Sequence, residues 1–315
     1  MNLLTFDFGG TFVKYCLMNS RAEISEHGQL PAPLKTKEDF LDLICRQYEQ
    51  YKDKTDGIAI SMPGVIDSDS GEIILVTLYP EMSGQNIYGL LKDRIPVPVS
   101  VENDGKAAIL AEAWKGALAN VNDAVCILLG SGIGGGIIMG GKLQKGYGFA
   151  AGEISDLLVE PGRYEKENTI CYDASMTGFL KAVARAKNMD PACFEISGNV
   201  SSSEKRITGM DVFQWIEEED PLTLAEYRNW IRRLVWMIYN LKLTVSPEKI
   251  VIGGGVSRNE RFIHDLKEEY REAAAKLADY LPETAIDTCR FQADANLVGA
   301  AYNWFLMHDE REYIS

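Results

Sequence analysis

The feature that most constrains the fold is a pattern of strand, glycine turn and strand that occurs twice in the chain. An apolar run from Leu3 to Phe8 is followed, after a turn, by a second run from Phe12 to Met18. The same order returns from Ala124 to Leu129 and from Gly136 to Met139. Phe8 aligns with Leu129, an offset of 121 residues, which is about the length of one domain. The pattern therefore predicts two related halves.

The chain of 315 residues is long enough for two domains. We predict a small N-terminal α/β domain over residues 1–117, completed by a C-terminal helix over 294–315, and a larger α/β domain over 118–293. The polar stretch from Ser197 to Lys205 predicts a flexible loop. Further strands are predicted at Gly57 to Met62, Gly71 to Leu78, Val97 to Glu102 and Lys249 to Ile252, and helices at 38–52, from Asn103-Asp104 onward, Leu222 to Val245, Glu260 to Leu281 and Asn296 to Leu306.

The composition disfavours several classes of function. Lys and Arg number 32 against 46 Asp and Glu, a formal net charge of -14, whereas a nucleic-acid-binding protein normally carries a basic surface. No stretch reaches the ~18 uncharged apolar residues of a membrane span. The six cysteines are widely separated and the three histidines lie outside the segments that indicate a site, which disfavours a His-based triad or a metal cluster. We expect a cytoplasmic protein without nucleic-acid or membrane partners.

The first glycine turn suits the binding of a phosphate anion. It lies in the segment D-F-G-G-T, from Asp7 to Thr11, with Lys14 three residues further on. Backbone N–H groups of a glycine pair and the Thr11 hydroxyl can donate to phosphate oxygens. Asp7 could hold Mg²⁺ through water, since this ion prefers oxygen ligands and keeps part of its hydration shell. The alternative is a plain hairpin with an incidental acid.

The second glycine turn, G-S-G-I-G-G-G from Gly130 to Gly136, contains the spacing G-x-G-x-x-G. A dinucleotide-binding fingerprint requires a helix after the glycines, but Ile137-Ile138-Met139 indicates a strand. We therefore interpret the segment as a second phosphate turn, with Ser131 in the position of Gly10. A third glycine segment, from Ile250 to Asn259, could admit a flat base or merely turn the chain.

Two further segments carry carboxylates. The sequence E-N-D-G, from Glu102 to Gly105, lies where a predicted strand meets a predicted helix. A carboxylate there can act as a general base toward a hydroxyl group, although Asn and Asp are also preferred helix N-caps. The segment from Tyr147 to Asp156 places small residues around Glu153, which suits hydrogen bonding to a neutral sugar. The alternative for Glu153 is a solvated loop acid.

Together, the order and spacing of these segments resemble the ROK family (repressor, open reading frame, kinase) of sugar kinases in the actin-like ATPase superfamily. The resemblance implies an α/β, two-domain actin-like ATPase (ribonuclease H-like) fold with a central cleft. It also implies ATP-dependent, glucokinase-like phosphorylation of a sugar hydroxyl, on a glucose-like hexose, a hexosamine or a glycoside, with ATP and Mg²⁺ as cofactors. The matching segments are Asp7 to Thr11, Met62 to Asp67, Glu102 to Asp104, Gly130 to Gly136, Gly148 to Glu153 and Gly253 to Ser257.

The resemblance implies roles for individual residues. Asp104 would be the catalytic base, and Asp7 would hold Mg²⁺. The implied sugar-binding residues are Pro63, Gly64, Asn103, Asp104, Glu153 and Asp156. The implied ATP- and phosphate-binding residues are Asp7, Gly9, Gly10, Thr11, Lys14, Gly130, Ser131, Gly132, Gly254 and Gly255.

One position departs from the family's pattern. Members usually carry a histidine three residues after the glutamate and a downstream cysteine cluster, which together bind a structural zinc. Here Asp156 stands at that position and only Cys171 lies nearby, so we predict no zinc. An ionised aspartate accepts hydrogen bonds but does not donate them, so the departure leaves the identity of the sugar open.

The family also suggests a homodimer, for which the apolar helix from Leu222 to Val245 is one candidate contact. Some members are instead non-enzymatic, sugar-sensing regulators that carry an added N-terminal helix-turn-helix. In this sequence the first strand begins by Asn2 and the net charge is acidic. We therefore favour the kinase over the regulator.

Overall fold

The computed structural model describes residues 1–32, 36–190, 193, 207–277 and 281–308. Its contacts define two compact units. The first comprises Met1–Val121, Gly136–Gly152 and the chain from Cys289 onward, and the second comprises Asn122–Gly135 and Glu153–Thr288. The predicted loop from Ser197 to Lys205 lies outside the described residues, and the domain boundaries inferred from the sequence stay a prediction.

Strands and helices alternate along the chain. The strands are β1 (Asn2–Phe8), β2 (Phe12–Asn19), β3 (Ile24–Pro31), β4 (Gly57–Met62), β5 (Val65–Asp67), β6 (Glu72–Leu75), β7 (Gln85–Asn86), β8 (Val99–Asn103), β9 (Ala124–Leu129), β10 (Ile133–Met139), β11 (Lys142–Leu143), β12 (Lys249–Gly253) and β13 (Ala285–Thr288). The helices are α1 (Lys37–Tyr51), α2 (Ile87–Leu91), α3 (Asp104–Lys115), α4 (Ile170–Ala174), α5 (Met176–Ala186), α6 (Gly209–Glu217), α7 (Pro221–Val245), α8 (Glu260–Leu277) and α9 (Ala295–His308).

The first sheet has the strand order β3-β2-β1-β4-β8. β1 pairs antiparallel with β2 and parallel with β4, which in turn pairs parallel with β8. Every residue of β4 is buried, as expected for a central strand covered on both faces, and this explains its continuous apolar sequence. α3 and α9 pack closely at Gly299, where a Cβ atom would overlap the carbonyl oxygen of Ala107. Only glycine permits this approach.

The second sheet repeats that order as β11-β10-β9-β12-β13. β12 pairs parallel with both β9 and β13. β9 begins and ends 121 residues after Leu3 and Phe8, and β10 begins 121 residues after Phe12. The predicted repeat is therefore confirmed in strand position, although β10 begins at Ile133 rather than at the predicted Gly136. The shared strand order was not predicted.

Most predicted elements are present, with some differences at their ends. The strand predicted from Gly71 to Leu78 shortens to β6, because the N–H of Val76 donates to the Ser83 hydroxyl (3.0 Å) rather than to a neighbouring strand. β3 was not predicted, since it is a largely exposed, polar strand at the sheet edge. The sequence analysis also missed helices α4 to α6. Within the described ranges, no helix is long and apolar enough to cross a membrane.

Candidate functional site

One edge of the first sheet gathers the polar residues predicted to do chemistry. Because β1, β4 and β8 are parallel, their carboxyl ends lie side by side, the position where α/β sheets bind ligands. The register places Asp7 beside Ser61, and Met62 beside Asn103. Pro63-Gly64 and Asp104 follow directly, so three of the predicted segments converge here.

Asp7 is the acid at the end of β1. Its Oδ1 accepts hydrogen bonds from Asn296 Nδ2 (3.1 Å) and from the Ser61 hydroxyl (3.4 Å). Burial raises the pKa of Asp7, an effect that the Asn296 bond and the charge of Lys14 partly offset. Lys14 is the cross-strand partner of Asp7 on β2, and its ammonium donates to the carbonyl of Ala293 (3.1 Å). The sequence analysis missed Asn296, which belongs to the C-terminal helix α9.

Hydrogen bonds to other residues of the first unit fix the first glycine turn. The N–H of Gly9 donates to the carbonyl of Phe12 (3.1 Å), and its own carbonyl accepts from the Tyr79 hydroxyl. The carbonyl of Thr11 accepts from the N–H of Ala32 (2.9 Å). Gly10, at the tip, is exposed. The turn is thus anchored through Gly9 and Thr11, while its tip faces solvent.

Asp104 is the first residue of α3. Its Oδ1 accepts the N–H of Gly105 (2.8 Å). Burial raises the pKa of Asp104, and the neighbouring charge of Lys106 works in the opposite direction. The charge of Asp104 in turn contributes to raising the pKa of Asp7. A carboxylate with a raised pKa is a stronger base than one in water.

The N-cap of α3 is Asn103 rather than Asp104. Asn103 Oδ1 accepts from the N–H of Lys106 (3.0 Å), and its Nδ2 donates to the carbonyl of Gly64 (2.9 Å). Gly64 has a positive φ of 115°, and a Cβ there would overlap the carbonyl of Leu75, so this turn requires glycine. The Asn103 amide therefore locks the predicted Pro63-Gly64 segment to the helix that carries Asp104.

Glu102 is a buried acid to which the sequence analysis assigned no role. Its side chain is fully buried and accepts the Ser68 hydroxyl (2.9 Å) and the N–H of Asn103 (2.9 Å). Burial raises the pKa of Glu102. These bonds point the carboxylate into the unit, where it supports the junction between β8 and α3.

The residues at this edge fit a magnesium ion. Mg²⁺ usually binds through one or two carboxylates together with waters and substrate phosphates. Asp7 offers a carboxylate whose ionised form is disfavoured by burial and by Asp104, and a cation would relieve both effects. Among the described residues, no group of three or more His, Cys, Asp or Glu side chains could form a metal cage. The ion would therefore be held mainly by water and phosphate oxygens.

The second glycine turn lies at the end of β9 in the second unit. The N–H of Gly130 donates to the carbonyl of Gly132 (2.9 Å), and the Gly130 carbonyl accepts from the N–H of Met176 (3.0 Å) at the start of α5. The turn leads into β10, so the interpretation against a dinucleotide-binding fingerprint is confirmed. Gly254 follows the adjacent strand β12 with φ 89°, and a Cβ there would overlap the carbonyl of Leu129. The second glycine turn and the third glycine segment are thus neighbours at the ends of β9 and β12.

A cavity of about 640 Å³ opens beside these two turns. It includes the predicted residues Gly130, Ser131 and Gly255, whereas Gly132 and Gly254 do not line it. Most of the wall comes from α5 and α6, for which no site was predicted, and from residues that follow Gly255 in the predicted third glycine segment. The capping box of Thr208 and Asp211, which begins α6, was a detectable signal. The lining residues that were not predicted individually are Leu129, Met176, Thr177, Leu180, Thr208, Gly209, Met210, Phe213, Val256, Arg258 and Asn259.

Glu153 and Asp156 belong to the second unit, whereas Asn103, Asp104 and Pro63-Gly64 belong to the first. Glu153 precedes a 3-10 turn over Ile154–Asp156, and Asp156 is exposed at its end. Cys171 lies close to Gly132: a Cβ atom added to Gly132 would be 3.4 Å from the Sγ of Cys171. The absence of zinc stays a prediction.

The comparisons with known proteins agree on one family. The model of the ROK family matches residues 3–307. The chain is 29% identical to a beta-glucoside kinase from Listeria innocua, over 99% of both chains, and 29% identical to a glucokinase from Halalkalibacterium halodurans, over 96% of this chain and 94% of the relative. A glucokinase from Streptomyces griseus, solved with glucose and AMPPNP, superposes with a TM-score of 0.76 at 23% identity, over 96% and 98% of the two chains. The predicted actin-like ATPase fold is confirmed.

Proposed function

The chain belongs to the ROK family, and we propose that it is an ATP-dependent kinase that phosphorylates a hydroxyl group of a sugar, with Asp104 as the general base. The observation that carries the proposal is the placement of Asp104. Its carboxylate follows the end of β8, where the parallel strands β1, β4 and β8 end side by side, and burial raises its pKa. This is the arrangement that a base for a neutral hydroxyl requires.

In the proposed reaction, the sugar hydroxyl gives its proton to Asp104 and its oxygen forms a bond to the γ-phosphorus of ATP. The bond between that phosphorus and the bridging oxygen breaks, and ADP leaves. Phosphoryl transfer depends mostly on positioning and on neutralising charge. Lys14 and the turn from Gly9 to Thr11 would contribute donors to the phosphates. Mg²⁺ held by Asp7 would neutralise phosphate charge when bound.

Those proposed sugar-binding residues that belong to the first unit lie at the same edge. Asn103 and Gly64 are already hydrogen-bonded to each other, which fixes the position of both before a sugar arrives. A preorganised contact of this kind costs little entropy on binding. Pro63, Glu153 and Asp156 complete the proposed set.

The cavity of the second unit suits the nucleotide. Its wall combines apolar side chains, such as Met176, Leu180 and Phe213, with the exposed turn at Gly130-Ser131. Apolar side chains can enclose a flat base, and turn N–H groups can donate to phosphate. Gly254 would shape this site by allowing the backbone to approach Leu129 closely, and Gly132 and Gly255 complete the proposed set.

The names of the relatives guide the choice of sugars. The names of two relatives refer to the phosphorylation of beta-glucosides and of glucose. Glycosides and glucose-like hexoses are therefore the first substrates to try, followed by hexosamines. The test is an assay of ADP release over these sugars, with the phosphorylated position identified by NMR of the product. ADP release that depends on one of them, with a sugar phosphate as product, supports the proposal. Sugar binding without turnover would instead favour a sensing regulator.

A further inference from the structure

Lys106 is a buried cation that the proposed mechanism does not yet use. It is the third residue of α3, two positions after Asp104, and only 1% of it is exposed. Burying an ammonium group is costly unless hydrogen bonds and opposite charges compensate for the lost water. Contacts that compensate for this cost are therefore expected around Lys106.

The ammonium of Lys106 reaches a distant segment of the first unit. Its Nζ donates to the carbonyl of Phe149 at 2.8 Å, across 43 positions in sequence. Its charge also acts on both Glu102 and Asp104, and lowers the pKa of each against the effect of burial. Lys106 thus connects the helix that carries the proposed base with the segment from Gly148 to Gly152, which leads directly into Glu153.

Phe149, whose carbonyl accepts this hydrogen bond, has an unusual backbone conformation. Its φ of 58° lies in the left-handed region, which bulky side chains rarely adopt. A tight turn surrounds it: the N–H of Phe149 donates to the carbonyl of Gly146 (3.4 Å), and the N–H of Ala151 donates to that of Lys145 (3.1 Å). Backbone in a sparsely populated conformation persists only where the surroundings hold it, and such residues cluster at ligand sites.

We propose that Lys106 is a positioning residue for sugar binding: its ammonium holds the carbonyl of Phe149, and with it the segment from Gly148 to Gly152, against the first turn of the Asp104 helix. This inference rests on the proposed sugar-kinase function. The identity of residue 106 therefore matters to sugar affinity more than to nucleotide affinity, since the nucleotide cavity is lined by residues of the second unit.

The test replaces Lys106 with methionine, which keeps the apolar stem of the side chain but removes the ammonium. Lys115→Met is the matched control, because Lys115 lies exposed on the same helix. With the sugar that the wild-type protein prefers, Lys106→Met should raise the KM for sugar by about tenfold or more, as expected when a hydrogen bond from a charged group is lost. The KM for ATP should stay within about twofold, and Lys115→Met should leave both values unchanged.

The dissociation constant for the sugar, measured by calorimetry, provides a second readout. It tests Lys106 even if the wild-type protein binds a sugar without phosphorylating it, an outcome that would contradict only the kinase proposal. If Lys106→Met does not fold, Lys106→Gln, whose side chain is one atom too short to reach Phe149, is judged by the same criterion. Unchanged sugar affinity in a folded variant, or an equal loss of affinity for sugar and ATP, would show that Lys106 has only a structural role.

Discussion

The two glycine turns occupy equivalent positions in the two repeats but differ in the chemistry around them. The first turn is flanked by Asp7 and Lys14, whereas Leu128 and Gly135 occupy the equivalent positions, 121 residues later. The first sheet therefore has a charged edge that suits catalysis and a cation, and the second has a neutral turn beside a cavity with apolar walls. The comparison shows that one strand order can present two different chemical environments, because the residues at the strand ends differ.

The largest expected effect tests the charged edge. Asp104→Asn should lower kcat by about 10²–10⁴, since general-base catalysis contributes on that order. The KM for ATP should change little. The helix should persist, because its cap is Asn103. Steady-state kinetics measure the loss, and Asp53→Asn, an exposed aspartate of the same unit, is the control. Near-normal turnover in Asp104→Asn would rule out the base assignment.

Asp7→Asn should have the second largest effect, because it removes the carboxylate proposed to hold Mg²⁺ but keeps the side-chain shape. We expect kcat to fall by about 10², on the order of one electrostatic contact to the transition state. The Mg²⁺ concentration that gives half-maximal activity should rise. A titration of activity against Mg²⁺ measures both effects, and an unchanged midpoint would contradict the role of Asp7.

The neutral turn can be disturbed through Gly254. Gly254→Ala forces a side chain into a positive φ and toward the carbonyl of Leu129, so it should cost about 1–3 kcal/mol of stability and weaken ATP binding. Gly255→Ala is the matched control for stability, since a Cβ there meets no atom within 4 Å. Thermal unfolding distinguishes the two variants, and the KM for ATP of Gly254→Ala is compared with that of the wild-type protein. Equal stability of the two variants would mean that the close approach at Gly254 is not needed.

The pH dependence follows from the raised pKa of Asp104. Only the ionised carboxylate accepts a proton, so kcat/KM should fall with decreasing pH through a pKa above the ordinary value of 3.8. Because the folded-state pKa exceeds the unfolded one, the Asp104 contribution to stability is present below the unfolded pKa and is lost as the pH rises through the folded pKa. Asp104→Asn should therefore not lower the melting temperature at pH 7. A lower melting temperature would indicate a stabilising role for the charge.

The smallest expected effect is that of metal removal on stability. Treatment with a chelator should stop turnover, and Mg²⁺ alone should restore it fully, with no change in melting temperature. The reason is that the proposed cation acts with substrate phosphates at the first sheet, and no structural zinc is predicted. Elemental analysis of the purified protein provides the direct check. Stoichiometric zinc would overturn the interpretation of Asp156 and Cys171.

Much of the fold could be predicted from local patterns. The runs at Gly57–Met62 and Ala124–Leu129 match strands β4 and β9 at both ends, because buried central strands are continuously apolar. The polar edge strand β3 and helices α4 to α6 were missed. Edge strands lack that signal, and α4 has only five residues, whereas the helical periodicity of α5 and the capping box of α6 were present but not recognised.

The candidate site also has features that could be predicted from the sequence and features that could not. The positions of Asp7, Asp104 and the glycine turns at strand ends follow from the sequence by itself, since strand, turn and helix signals are local. The contact between Asp7 and Asn296 joins residues 289 positions apart, and that between Lys106 and Phe149 joins residues separated by 43. Only the tertiary structure decides such contacts, because burial and hydrogen bonding of polar groups depend on which distant elements pack against them.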